Sequence, residues 1–144
     1  MSSKNIKNKK IIRKTMKNKM NIIDSISNLN NLLQTLKLYH WTTDYFNIHK
    51  ITDTFIGGLS SMLDNYVEVY LGSELDKQNL VERKLKIKLS KVNIKPISKK
   101  SDLLKKINLN INTLKLTNHS VELNAIRDEL ISELQKFKYL LNLK

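Results

Sequence analysis

The feature that most restricts this chain is a spacing. In four separate blocks, apolar residues recur at steps of three and four, the period of one face of an α-helix. Ile22, Ile26, Leu29, Leu33, Leu36 and His40 form the first block, predicting a helix over about residues 21 to 41. Ile48, Thr52, Phe55, Leu59, Met62, Leu63, Tyr66 and Tyr70 mark a second, which runs to about Leu71 with Gly72 as its stop signal. Ser101 and Asp102 resemble helix starts ahead of Leu104, Ile107, Ile111 and Leu114, and Leu123, Ile126, Leu130, Leu134, Phe137 and Leu141 form the most regular stripe. Three Gly and one Pro in 144 residues leave too few turn-makers for many short strands. The expected fold is all-α, and the length suits one domain.

The connections are short, long and short. Thr42 to Asn47 and Asn118 to Ser120 are brief polar turns, while Glu74 to Lys100 is long and hard to assign. There Lys84, Lys86 and Lys88 alternate with Leu85, Ile87 and Leu89 as in a strand, so a basic extended segment is one reading. A crossover containing a short helix is the other. Four helices joined in this way describe a ferritin-like four-helix bundle with a long crossover between its second and third helices.

Charge divides the chain further. The formal net charge is +13, from 26 Lys and Arg against 13 Asp and Glu, which favours polyanionic partners. Lys4, Lys7, Lys9, Lys10, Arg13, Lys14, Lys17 and Lys19 follow one another with no acid between them. Residues 1–20 therefore read as a basic, flexible tail and residues 21–144 as the bundle. The tail's cations would bind DNA phosphates without regard to sequence. Ile6, Ile11, Ile12, Met16 and Met20 give the tail too thin an apolar side to favour a membrane surface. No apolar run reaches the roughly 18 residues of a membrane span, and there is no Cys, so the expected protein is soluble and intracellular. A Lys-rich composition can also reflect an AT-rich genome.

Without Cys, any bound metal must be held by His, carboxylates or water. The second helix carries His49, Asp53, Asp64 and Glu68 at intervals of four, eleven and four. At about 100° per residue these fall within an arc of roughly 100°, beside the apolar stripe and not on it. Asp53 and Asp64 are about 16 Å apart along the axis, too far for one ion. Two copies packed antiparallel about a dyad near Gly57 and Gly58 would bring His49 and Asp53 of one chain level with Glu68 and Asp64 of the other. Gly57, Ser60 and Ser61 would let the backbones approach at that crossing. His40, one short connection away, is a candidate further ligand. Imidazoles with carboxylates suit a first-row metal such as Fe(II), Mn(II) or Zn(II).

His40-Trp41, Phe46, His49, Asp53, Asp64 and Glu68 together resemble the signature of the Dps proteins, DNA-binding mini-ferritins, over about residues 29 to 72. The resemblance implies a ferritin-like subunit, a dodecameric shell and ferroxidase sites at dimer interfaces. On it, His40, His49 and Asp53 of one subunit join Asp64 and Glu68 of its partner to bind iron, His49, Asp53, Asp64 and Glu68 carry the oxidation, and Trp41 packs beside the site. The chain is also similar to the Dps-like proteins of large DNA viruses, including the run from Arg127-Asp128-Glu129-Leu130 to Tyr139-Leu140-Leu141. That implies a place in the cytoplasm or nucleoid, or in a host cell or virion. The expectation is an iron-binding ferroxidase that also binds DNA. The alternative is a non-enzymatic DNA-condensing or virion protein on the same scaffold. Tyr39, Trp41, Tyr45, Phe46 and Tyr66 read as packing residues, and His119 as a loop residue with no assigned role.

Overall fold

The computed structural model describes residues 20–143, and the tail cations from Lys4 to Lys19 lie outside them. Among the described residues the regular structure is wholly helical: α1 (Ile22–Thr42), α2 (Phe46–Ser73), a 3-10 turn (Leu75–Lys77), α3 (Gln78–Ser90), α4 (Lys100–Leu116) and α5 (Val121–Asn142). No helix among them is long and apolar enough to cross a membrane.

α1 begins where the sequence supplies a cap. The Asn21 side chain accepts from the Asp24 amide at 2.9 Å and the Asp24 carboxylate accepts from the Asn21 amide at 3.3 Å, satisfying two of the amides that a helix start leaves open. α4 is different. Its N-cap is Lys99, with no side-chain cap, so Ser101 and Asp102 fall inside the first turn instead of starting the helix.

Side-chain contacts fix the directions. Ser25, early in α1, meets Thr117, just beyond α4, at 2.7 Å, and Asn28 meets Thr113 at 3.4 Å, so α1 and α4 are antiparallel. Phe55, early in α2, stacks on Phe137, late in α5, at 3.9 Å, while Tyr66 meets His119 just before α5. α2 and α5 are therefore antiparallel too. The three-residue turn after α1 reverses the chain into α2. The four long helices run up, down, down and up; α1 packs on α2 and α4, and α5 on the same two. The long connection must carry the chain back along the bundle between α2 and α4.

Most of the core is made of residues the spacing picked out, but Leu32, Tyr39 and Leu103 join it from outside those stripes, and Ile22, Met62, Tyr70 and Leu104 are only partly buried at its edge. Ile26, Leu29, Leu33, Leu36, Ile48, Phe55, Leu59, Leu63, Tyr66, Ile107, Ile111, Leu114 and the whole α5 stripe are buried. Each such side chain contributes about 1.5–3 kcal/mol relative to leaving it in water. The strand-like alternation from Lys84 to Leu89 does not form a strand. Val81 and Leu85 are buried at an interval of four on the inner side of α3, and helical backbone satisfies its own amides where an isolated strand would leave them unpaired.

Candidate metal centre

His40 lies in the last turn of α1 and His49 in the first turn of α2, so the three-residue turn folds one ring onto the other. The centroids are 3.9 Å apart and the planes 20° from parallel. The hydrogen bonds are reciprocal. His40 Nδ1 lies 3.0 Å from the His49 carbonyl oxygen, and His49 Nδ1 lies 3.0 Å from the His40 carbonyl oxygen. A carbonyl only accepts, so both Nδ1 atoms carry the proton and donate it. In the neutral ring each Nε2 then keeps its lone pair, the arrangement by which metal-binding imidazoles are oriented. The His40 carbonyl is one of those that the end of α1 leaves without a helical partner, so the contact also caps the helix.

Two further groups complete this end. Thr52 Oγ1 lies 3.0 Å from His40 Nδ1 and donates to the Ile48 and His49 carbonyls at 2.8 and 2.9 Å, which locks the His40 ring from a third side. Asp53, four residues after His49, places Oδ1 3.9 Å from His40 Nε2. The His40 side chain is 12% exposed and that of Asp53 is 77% exposed, so the donors open outward from a buried base.

Asp64 and Glu68 lie on the same helix, and the structure does not bring them to the histidines. They border a shallow depression of about 320 Å³ with Ile26, Asn30, Leu63, Val67 and Leu89 near the other end of α2. Among the described residues of a single chain, no group of three or more His, Asp or Glu side chains is gathered closely enough to hold a metal. Between the two half-sets lie Gly57 and Gly58. Both are exposed, and a Cβ added to either would meet nothing within 4 Å.

Trp41, Tyr45 and Phe46 surround the histidine end. They are 70%, 69% and 80% exposed, so within one chain Trp41 does not pack against the imidazoles. Tyr39 and Tyr66 are buried, as packing residues should be.

The polar centre that the spacing did not reveal is at the opposite end of the bundle. The buried Tyr66 hydroxyl donates to His119 Nε2 at 2.7 Å, because His119 Nδ1 is committed to the Thr117 carbonyl at 2.9 Å. Burial raises the Tyr66 phenol well above its ordinary value, and burial first, then Arg127, holds the His119 imidazole below its own. Thr117 Oγ1 bonds Ser25 at 2.7 Å, so this cluster ties α1, α2 and the turn before α5 together. Arg127 and Asp128 of α5, paired with each other at 2.8 Å, both act on the His119 ring, in opposite directions.

No curated protein and no solved structure matches the chain. A family model matches residues 40–141, from the first histidine of the pair to the end of α5, and the chain thereby belongs to a family of unknown function, DUF5856.

Proposed function

We propose that the chain is a ferritin-like, Dps-like subunit that binds iron at a site shared between two copies and oxidises Fe(II) there, its Lys-rich tail binding DNA without sequence preference. The observation that carries this reading is the reciprocal histidine pair. Two imidazoles are held by backbone carbonyls in the tautomer that offers both Nε2 lone pairs, beside the outward-facing Asp53. Such a constellation is half of a site.

Asp64 and Glu68 supply the other half when a second α2 lies antiparallel across Gly57 and Gly58, since 49 pairs with 68 and 53 with 64 about one centre. The glycines support this. In the interior of a 28-residue helix, Gly57 and Gly58 cost about 1 kcal/mol each relative to Ala, and a Cβ on either would meet nothing within 4 Å in its own chain. The up, down, down, up order with a long crossover supports the ferritin-like class, and a Dps-like shell of twelve remains part of the proposal.

Chemically, two Fe(II) ions bound by His40, His49, Asp53 and the partner's two carboxylates each give one electron to peroxide, whose O–O bond breaks with uptake of protons to form water. Carboxylates favour the ferric product and imidazoles tune affinity. Addition of Fe(II) and peroxide to the purified protein should raise ferric absorbance rapidly, and Asp64→Ala with Glu68→Ala should lose that phase. A double variant as fast as wild type would show that these carboxylates are not ligands.

A further inference from the structure

The charge of the described chain is concentrated in one place. Of its seventeen Lys and Arg, eleven lie between Lys77 and Lys106, together with two of its thirteen acids, Glu82 and Asp102. The rest of the described chain carries six cations and eleven acids. A genome-wide bias toward Lys would load every helix alike. Here the bundle is acidic and one segment of it is strongly basic.

The structure displays that segment on the outside. α3 turns Val81 and Leu85 inward and leaves Arg83, Lys84, Lys86 and Lys88 exposed. The chain beyond it is extended, tethered where the Asn31 side chain donates to the Asn93 carbonyl at 3.2 Å and where Ile97 packs on the core, and it presents Lys91, Lys95 and Lys99. α4 then begins with Lys100 and continues through Lys105 and Lys106. Among the described residues only two of the eleven cations have a carboxylate within ion-pair distance: Lys88 with Asp24 at 2.8 Å and Lys105 with Asp102 at 3.4 Å. Lys106 is held below the ordinary lysine range, by burial first and then by the charge of Lys95.

We propose that α3, the extended segment after it and the first turns of α4 form a binding surface for the sugar-phosphate backbone of duplex nucleic acid, separate from the N-terminal tail. A row of uncompensated cations repels itself, and a polyanion laid along it relieves that repulsion while releasing its own counterions. No aromatic residue occurs between Lys77 and Lys106, so bases have nothing to stack on and recognition is confined to the backbone. An anionic lipid surface fits less well. A helix lying in a membrane interface needs a continuous apolar face, and the inner side of α3 is already spent on the bundle, leaving only Leu80 and Ile87 about half exposed.

The test uses the full chain, with the tail intact in every variant. Affinity for a labelled DNA duplex of mixed sequence is measured across a salt series for wild type, for Lys84→Gln/Lys91→Gln/Lys95→Gln, and for the control Lys50→Gln/Lys136→Gln/Lys138→Gln. Each lost phosphate contact lowers the slope of log K against log salt by about 0.9, so the first triple should reduce it by close to 3 while the control leaves it unchanged. An unchanged slope in the first triple, or equal losses in both, overturns the proposal. So does a first triple that loses binding to phosphatidylserine vesicles while keeping the wild-type slope on DNA. Iron oxidation should be unaffected throughout, so this surface and the metal site stand or fall separately.

Discussion

His119 shows what a single side chain can tie together and what a sequence conceals. Its Nε2 accepts from Tyr66, fifty-three positions away, so no local period could have announced the pair. Burial holds the imidazole below its ordinary value of 6.5, which means that the unfolded chain takes up a proton first as the pH falls. The stability that the neutral ring contributes is complete above that ordinary value and is lost as the pH drops towards the lower folded one. Wild type should therefore lose more of its denaturant midpoint than His119→Gln between about pH 7.5 and about pH 5.5, as read by urea unfolding at each pH. Equal losses would remove His119 from the acid response. Asn110 makes a second case. It is 2% exposed, and its Oδ1 finds no donor among the described residues. Replacing it with Leu, of the same branched shape, removes that stranded acceptor together with the amide's bond to the Lys106 carbonyl, which the helix already satisfies, and Asn110→Leu should unfold at higher denaturant, by about 1 kcal/mol. A destabilised variant would mean that the polar atom serves the fold.

At the scale of elements, four of the five helices were legible because each buries most of one apolar stripe against the others. The α5 stripe from Leu123 to Leu141 is buried at every position the spacing named. α3 was legible only as one of two readings, for a physical reason. Its Lys–apolar alternation from Lys84 to Leu89 has the period of a strand, yet the residues buried against the bundle, Val81 and Leu85, are four apart. The helix is held by few contacts, which makes it the weakest element. Leu85→Ala should cost about 2–3 kcal/mol, and hydrogen exchange should rise in α3 before it rises in α1 or α5. Uniform acceleration across all helices would show that α3 opens with the rest. The starts differ in the same way: Asn21 with Asp24 is a readable cap, whereas Lys99 offers no side-chain signal at all.

At the scale of the whole molecule the candidate site was readable only in halves. The sequence intervals placed His49, Asp53, Asp64 and Glu68 on one face. What they did not reveal was the mutual grip of His40 and His49, which depends on a three-residue turn short enough to stack the rings. The open glycines at the middle of that face carry a distinct expectation. In Gly57→Leu, the added Cβ meets nothing within 4 Å in its own chain and the helix gains up to about 1 kcal/mol of propensity. The isolated subunit should become more stable while sedimentation shows its self-association weakened. A variant that associates as wild type would place the contact elsewhere.

The central claim is that each half-set of ligands is completed by a second copy, and complementation tests it most directly. His49→Ala/Asp53→Ala and Asp64→Ala/Glu68→Ala should each bind little iron alone. Mixed by unfolding and refolding together, random pairing gives mixed dimers in about half of cases, each with one wholly intact site of two, so iron bound per chain should recover to about one quarter of wild type. A mixture that binds no more than its two components would contradict a site built across the dyad.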